Sequence, residues 1–310
     1  MKEKEQINDV ITEEKTTSLV ASESLNLKSA KAKSRAGKII ALIVVYLFLI
    51  AVAVAVLFPF YWMLNSSLKS LEEYRLASPT FYPHAWQFSN YISAFNTANL
   101  GRLFLNTMYV GIVSTLLSLV ITVLSAFAFA RLEFRGRDTM FGILLATMMI
   151  PGELFTITNY ATIFALHWQN TFTALIVPFL VSVFYIYLLR QNFKQIPNEL
   201  YLAAKVDGTS DFKYLLRVMV PLALPQLISI TILKMMGAWN SYIWPRLVAN
   251  DEAHRMITNG LRNAFTASTG DIDYPVQMAA VALVSLPLFI VFIFCRKYIM
   301  KGVSRSGIKG

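Results

Sequence analysis

Long apolar runs alternate with short charged connections along most of this chain. Six runs stand out: Ile39–Leu64, Phe104–Ala130, Thr139–Ala161, Phe172–Leu189, Leu224–Pro245 and Val276–Phe294. Each is near the ~20 residues a helix needs to cross ~30 Å of hydrocarbon. The third is interrupted by Pro151, Gly152 and Glu153. A membrane helix tolerates such a pair where neighbours satisfy the freed carbonyls, so the run is expected to kink or end early there. Residues 1–38 are polar, first mixing Lys and Glu and then rich in Ser, Lys and Ala. That composition predicts a disordered tail. The apolar stretch after it is too long for a signal-peptide core and lacks a small-residue cleavage site. The pattern predicts an all-α polytopic membrane protein with six transmembrane helices, residues 39–310 forming one transmembrane domain.

Charge orients it. With the N-terminus inside, the inner segments carry twenty-one Lys and Arg and the outer ones six; Lys234 alone falls within a span. That positive-inside bias puts both termini, and the stretch 196–225, in the cytoplasm. Aromatics gather at helix ends, as in Phe58 to Trp62 and Trp239 to Trp244, where an interfacial belt would put them. The net charge of +10 does not point to nucleic acid, because the basic residues flank apolar runs and form no aromatic-laced patch. Cys295 is the single cysteine, which excludes a disulfide framework, and His84, His167 and His254 have no ligand spacing. There is no GxxxxGK[ST] phosphate loop, no GxSxG elbow and no metal-ligand cluster, so no enzyme is expected.

The stretch Ile196–Pro225 carries too many charges for hydrocarbon. Pro197 fits a first helical turn, and Gly208 fits a stop in the left-handed conformation. Between them Leu200, Ala203, Ala204 and Asp207 recur at helical spacing and share a face. Thr209 or Ser210 can cap a second helix starting near Asp211. A short helix, a sharp turn and a second helix are predicted.

The string Ile196-Pro197-x-Glu199-Leu200-x-x-Ala203-Ala204-x-x-Asp207-Gly208, followed by Pro221 and Pro225, resembles the "EAA" loop of ABC-importer permeases. Leu202 stands where that triplet usually has Glu. Ala128 to Gly136 is similar to the second inner loop of carbohydrate permeases, Gly237-Ala238-Trp239-Asn240-Ser241-Tyr242-Ile243-Trp244-Pro245 to their fifth-helix segment, and the Gly/Lys tail from Arg296 to the maltose MalG type. The chain is identified as a member of the MalG-like carbohydrate branch over residues 40–310.

The resemblance implies a bacterial plasma-membrane permease subunit of an ATP-driven, binding-protein-dependent sugar importer. It implies a second, non-identical permease subunit, an ATPase dimer holding ATP-Mg, and an extracytoplasmic solute-binding protein, with no cofactor on this chain. The coupling helix would be about Pro197–Asp207, with Glu199, Leu200, Ala203, Ala204, Asp207 and Gly208 meeting the ATPase. Asp207 either caps backbone N–H groups beyond the turn or pairs with an ATPase cation. Arg190 and Lys194 read as snorkelling charges.

Lys234, Trp239, Asn240 and Tyr242 are the candidates for the translocation path. A charge at mid-span costs about 2.5–3.5 kcal/mol on insertion scales. Lys234 therefore faces a cavity or a partner, or lies near the inner interface and snorkels. Asn240 with Trp239 or Tyr242 offers hydrogen bonds and an aromatic face to a sugar, but helix packing explains them equally well. Asn106, Thr107 and Asn159 are weaker path candidates, more often glue between helices. The outer loop Arg246–Tyr274, with Asp251, Glu252, Asp271 and Asp273 beside Arg255 and Arg262, suits a solvated face or a docked partner. The alternative function is a stand-alone secondary transporter or channel for a small polar solute. It would need carboxylates or His in the spans, which offer little beyond Lys234 and Glu153.

Overall fold

The computed structural model describes residues 39, 41–266 and 272–304, with side chains as far as Arg296. The expected tail, residues 1–38, and Asp271 lie outside them. Contacts divide the chain at Trp62–Met63 into two units. The described residues are helical or in turns, with no strand. The first apolar run is helix α1, Ala41–Ser67, with mean hydropathy 3.2 and no part of its most apolar window buried. An apolar stretch that long and that uncovered suits lipid or another chain, whereas Asn65, Ser66 and Ser67 at the end of the helix are buried.

After α1 come two short helices, α2 (Leu71–Tyr74) and α3 (Ser89–Thr97), and then the longest packed helix, α4 (Leu100–Arg131). Its buried positions include Gly111, Ser114, Thr115, Ser118, Thr122 and Ala126. These small side chains let neighbouring helices come close. A Cβ on Gly111 would sit 3.3 Å from the Met235 side chain.

Three predicted spans are not straight. The third is α5 (Arg137–Thr147) and Gly152–Ala165, bent by 84° at Pro151-Gly152, as the interruption in the sequence predicts. The fourth, Phe172–Phe179 and α6 (Val183–Gln195), bends by 46°. The fifth bends by 79° between Asp211–Leu222 and α7 (Leu224–Asn240). Pro221 and Pro225 flank that break, and proline cannot supply the N–H that a continuous helix requires. Three described helices are long and apolar enough to cross a membrane, or up to six if each bent pair is one span.

One boundary differs from the expectation. The fifth run does not continue to Pro245: α7 stops at Asn240, Ser241 is extended, and a separate helix covers Ile243–Val248. Helices Ile257–Thr266 and Tyr274–Ser304 complete the chain. The N-terminal part of α4 packs with Trp239, Ile257 and Ala280. Its C-terminal part packs with Leu189, Phe193, Tyr214, Leu215 and Met219.

Candidate functional site

The 196–225 stretch folds as a helix, a stop and a second helix. The first helix is Asn198–Val206, with Pro197 immediately before it. Thr209 N–H donates to the Ala204 carbonyl at 2.8 Å and Gly208 N–H to that of Lys205 at 3.1 Å. Those two bonds, with Gly208 at φ 68°, are the Schellman stop, which satisfies the last helical carbonyls through a left-handed residue. Ser210 then caps the next helix, its hydroxyl accepting from Lys213 N–H at 3.4 Å.

One side of the first helix is held by this chain. Tyr201 packs on Tyr214 and donates to Asp211 at 2.8 Å. Lys205 pairs with Asp211 at 2.7 Å, which raises the Lys205 pKa above its ordinary value. Ala204 is half-buried on this side. The other side is open: Glu199, Leu200, Ala203 and Asp207 are exposed, Leu202 is 57% and Val206 89% exposed. The expected common face of Leu200, Ala203, Ala204 and Asp207 is thus divided, Ala204 turning to the chain and the others outward. Asp207 makes no side-chain hydrogen bond among the described residues; the local cap expected of it is replaced by the backbone bonds of the stop.

Two arginines hold this end of the bundle together, and the first fastens the unit to it. Arg131, the last residue of α4, donates to the carbonyls of Phe193 (2.9 Å) and Ile196 and to the Asn198 amide oxygen (3.1 Å). Arg190 is 6% exposed, so it does not snorkel, contrary to the sequence expectation. It donates to the Phe129 carbonyl at 3.0 Å, pairs with Asp138 at 3.3 Å and lies 3.8 Å over the Phe141 ring. A guanidinium has enough donors, in a planar fork, to serve all three.

The second region is the break in the fourth span. Lys234, half-buried, donates to the Phe179 carbonyl at 2.5 Å. Ser182 caps the half that follows, accepting from Tyr185 N–H at 3.4 Å. Lys234 borders a cavity of about 330 Å³ that also meets Ser114, Ser182, Tyr185 and Ser241. An adjoining cavity of about 560 Å³ shares Phe179 and Ser241 with it and takes in Glu153, Asn159, Asn240 and Tyr242. Lys234 thus lines the first cavity, and Asn240 and Tyr242 line its neighbour.

Trp239 does not line it. It is buried against Phe104, ring centroids 5.6 Å apart, and its indole N–H has no partner among the described residues. Asn106 and Thr107 are structural. Asn106 donates to the carbonyls of Ala253 and Arg255, both at 2.9 Å, and Thr107 accepts from Ile257 N–H at 2.8 Å. Sequence reasoning missed Asn259, which donates to the carbonyls of Pro245 and Ala249 and accepts from Met256 N–H. Nothing local in the sequence distinguishes it from a solvated loop residue. Among the described residues no group of three or more His, Cys, Asp or Glu could hold a metal ion.

Known proteins resemble the chain over most of its length. The diacetylchitobiose uptake system permease protein of Streptomyces coelicolor is 30% identical over 81% of this chain and 83% of its own. An inner membrane ABC transporter permease protein of Escherichia coli is 31% identical over 82% of this chain and 91% of its own. The arabinooligosaccharides transport system permease protein of Bacillus subtilis is 29% identical, covering 82% and 91%. The fold matches a chain in the crystal structure of a bacterial ABC transporter involved in alginate import, with TM-score 0.76 and 23% identity, covering 83% of this chain and 95% of that one. The family model for the inner membrane component of binding-protein-dependent transport systems matches residues 118–305, and this multi-pass membrane chain belongs to that family.

Proposed function

We propose that the chain is one of two non-identical permease subunits of an ATP-driven sugar importer. Its permease relatives named for carbohydrate uptake support the cargo class. Both termini and the 196–225 unit face the cytoplasm, where the positive charge lies. An ATPase dimer sits beneath, and a soluble binding protein delivers solute to the opposite face. ATP-Mg stays on the ATPase.

The observation that carries this reading is the 198–206 helix, braced on one side by Tyr201, Ala204 and Lys205 and bare on the other at Leu202, Ala203 and Val206. A surface projection with exposed Leu and Val fits a partner's cleft. Glu199, Leu200 and Asp207 lie on the open part, and Gly208 fixes the angle at which the helix meets the second one. Rigid bracing through Arg131 and Tyr214 carries a push on this helix to α4 and α7. Movement there changes the cavities lined by Lys234, Asn240 and Tyr242, the proposed path, with Trp239 packed behind them.

Gly208→Val is the test. No atom lies within 4 Å of a Cβ placed there, so the substitution acts through backbone strain alone, about 1–2 kcal/mol for a left-handed residue. The variant is expected to insert normally and to lose both ATPase co-purification and ATP-driven uptake in proteoliposomes. Undiminished ATPase attachment and uptake would refute the coupling role.

A further inference from the structure

The cavity at Lys234 holds a cation without a counter-charge. The ammonium has three N–H donors, and one is satisfied by the Phe179 carbonyl. No carboxylate lies within ion-pair distance of it among the described residues. The lining of the adjoining cavity includes one carboxylate, that of Glu153, which is exposed. Intramembrane cations normally pair with an anion or line a polar pathway, because an isolated charge at that depth is unfavourable. The rest of the polar lining consists of hydroxyls, from Ser114, Ser182, Tyr185 and Ser241. Hydroxyls donate to oxyanions as readily as to neutral sugar oxygens. The volume, about 330 Å³, is that of a small ligand site.

We infer that Lys234 and the hydroxyls around it form a subsite for an anionic group, a carboxylate or phosphate, carried on a sugar. The inference rests on the permease reading above and narrows its cargo to acidic solutes. Lys234 is the specificity-determining residue: its charge-assisted bond is worth roughly ten- to a hundredfold in affinity over the neutral analogue. The bond to Phe179 holds the ammonium at the rim of the break in the fourth span, beside the cavity that Ser182 and Tyr185 also line.

The experiment is lysine acetylation footprinting of the purified, assembled transporter, read by mass spectrometry. The probes are glucuronate, glucose 6-phosphate and glucose at matched ionic strength, with exposed Lys213 as the internal control. Both acidic probes are expected to slow acetylation of Lys234 about tenfold at saturation, while glucose leaves it unchanged and Lys213 does not respond to any of them. Equal protection by glucose, or none by either anion, would overturn the subsite. So would a Lys234 that resists acetylation before any probe is added, because the ammonium would then be closed off or already held by a partner's carboxylate. A Lys234→Arg variant, which keeps the charge and does not acetylate, should bind glucuronate in equilibrium dialysis of the same complex, and Lys234→Gln should not. ATP hydrolysis measured in the same preparation reports on the permease assignment independently of this result.

Discussion

The two ends of α4 solve one problem with different chemistry. Where the chain leaves its helices, carbonyls lose their helical partners and need other donors. At the end near Asn106, neutral side chains supply them: Asn106 holds the 253–255 turn, Thr107 receives Ile257 N–H, and Asn259 ties Pro245 and Ala249. At the end near Arg131, guanidinium groups do the same work, Arg131 on Phe193 and Ile196 and Arg190 on Phe129. The arginine end is the one proposed to face the cytoplasm. A cation kept on that side orients the protein and donates hydrogen bonds at once, whereas the other end uses amides and hydroxyls. The contrast teaches that basic residues at the arginine end are bonded into the folded core as well as placed in the loops.

The largest effect is expected from Asn259→Ala. It leaves the buried Ala249 carbonyl and Met256 N–H unsatisfied and removes one of the two donors to the Pro245 carbonyl, for about 3 kcal/mol, visible as a drop in the thermal unfolding midpoint in detergent. If that midpoint did not move, the neutral end would not depend on amide donors at all. Arg190→Met keeps the stem but loses the Phe129 bond and the Phe141 contact, for about 2 kcal/mol by the same assay. A larger loss than for Asn259→Ala would reverse the ranking of the two ends. Arg131→Lys sharpens the distinction between charge and geometry. It keeps the cation and loses the fork, so about 1 kcal/mol of local stability should go, with faster proteolytic nicking near Ile196 and an almost unchanged unfolding midpoint.

The turn that carries the proposed function was legible because its signals are local. Pro197, Gly208 and Ser210 each act within a few residues of themselves, and the structure puts the helix start, the stop and the cap where those residues predict. The sides of the helix were less legible. Spacing groups Ala203 with Ala204, but Tyr214 and Asp211, from the following helix, decide which of the two is covered.

Hydropathy by itself determined a helical membrane protein and its six apolar runs. These follow from the solvent each residue must face, and a residue meets that demand wherever the chain folds. Only the tertiary structure decided that Arg190 is buried, that Lys234 opens into a cavity, that Trp239 turns away from it and that the fourth span breaks beside Phe179. Each of these depends on a partner 55 to 135 positions away in the chain, and no local pattern encodes which distant carbonyl or ring a side chain will meet.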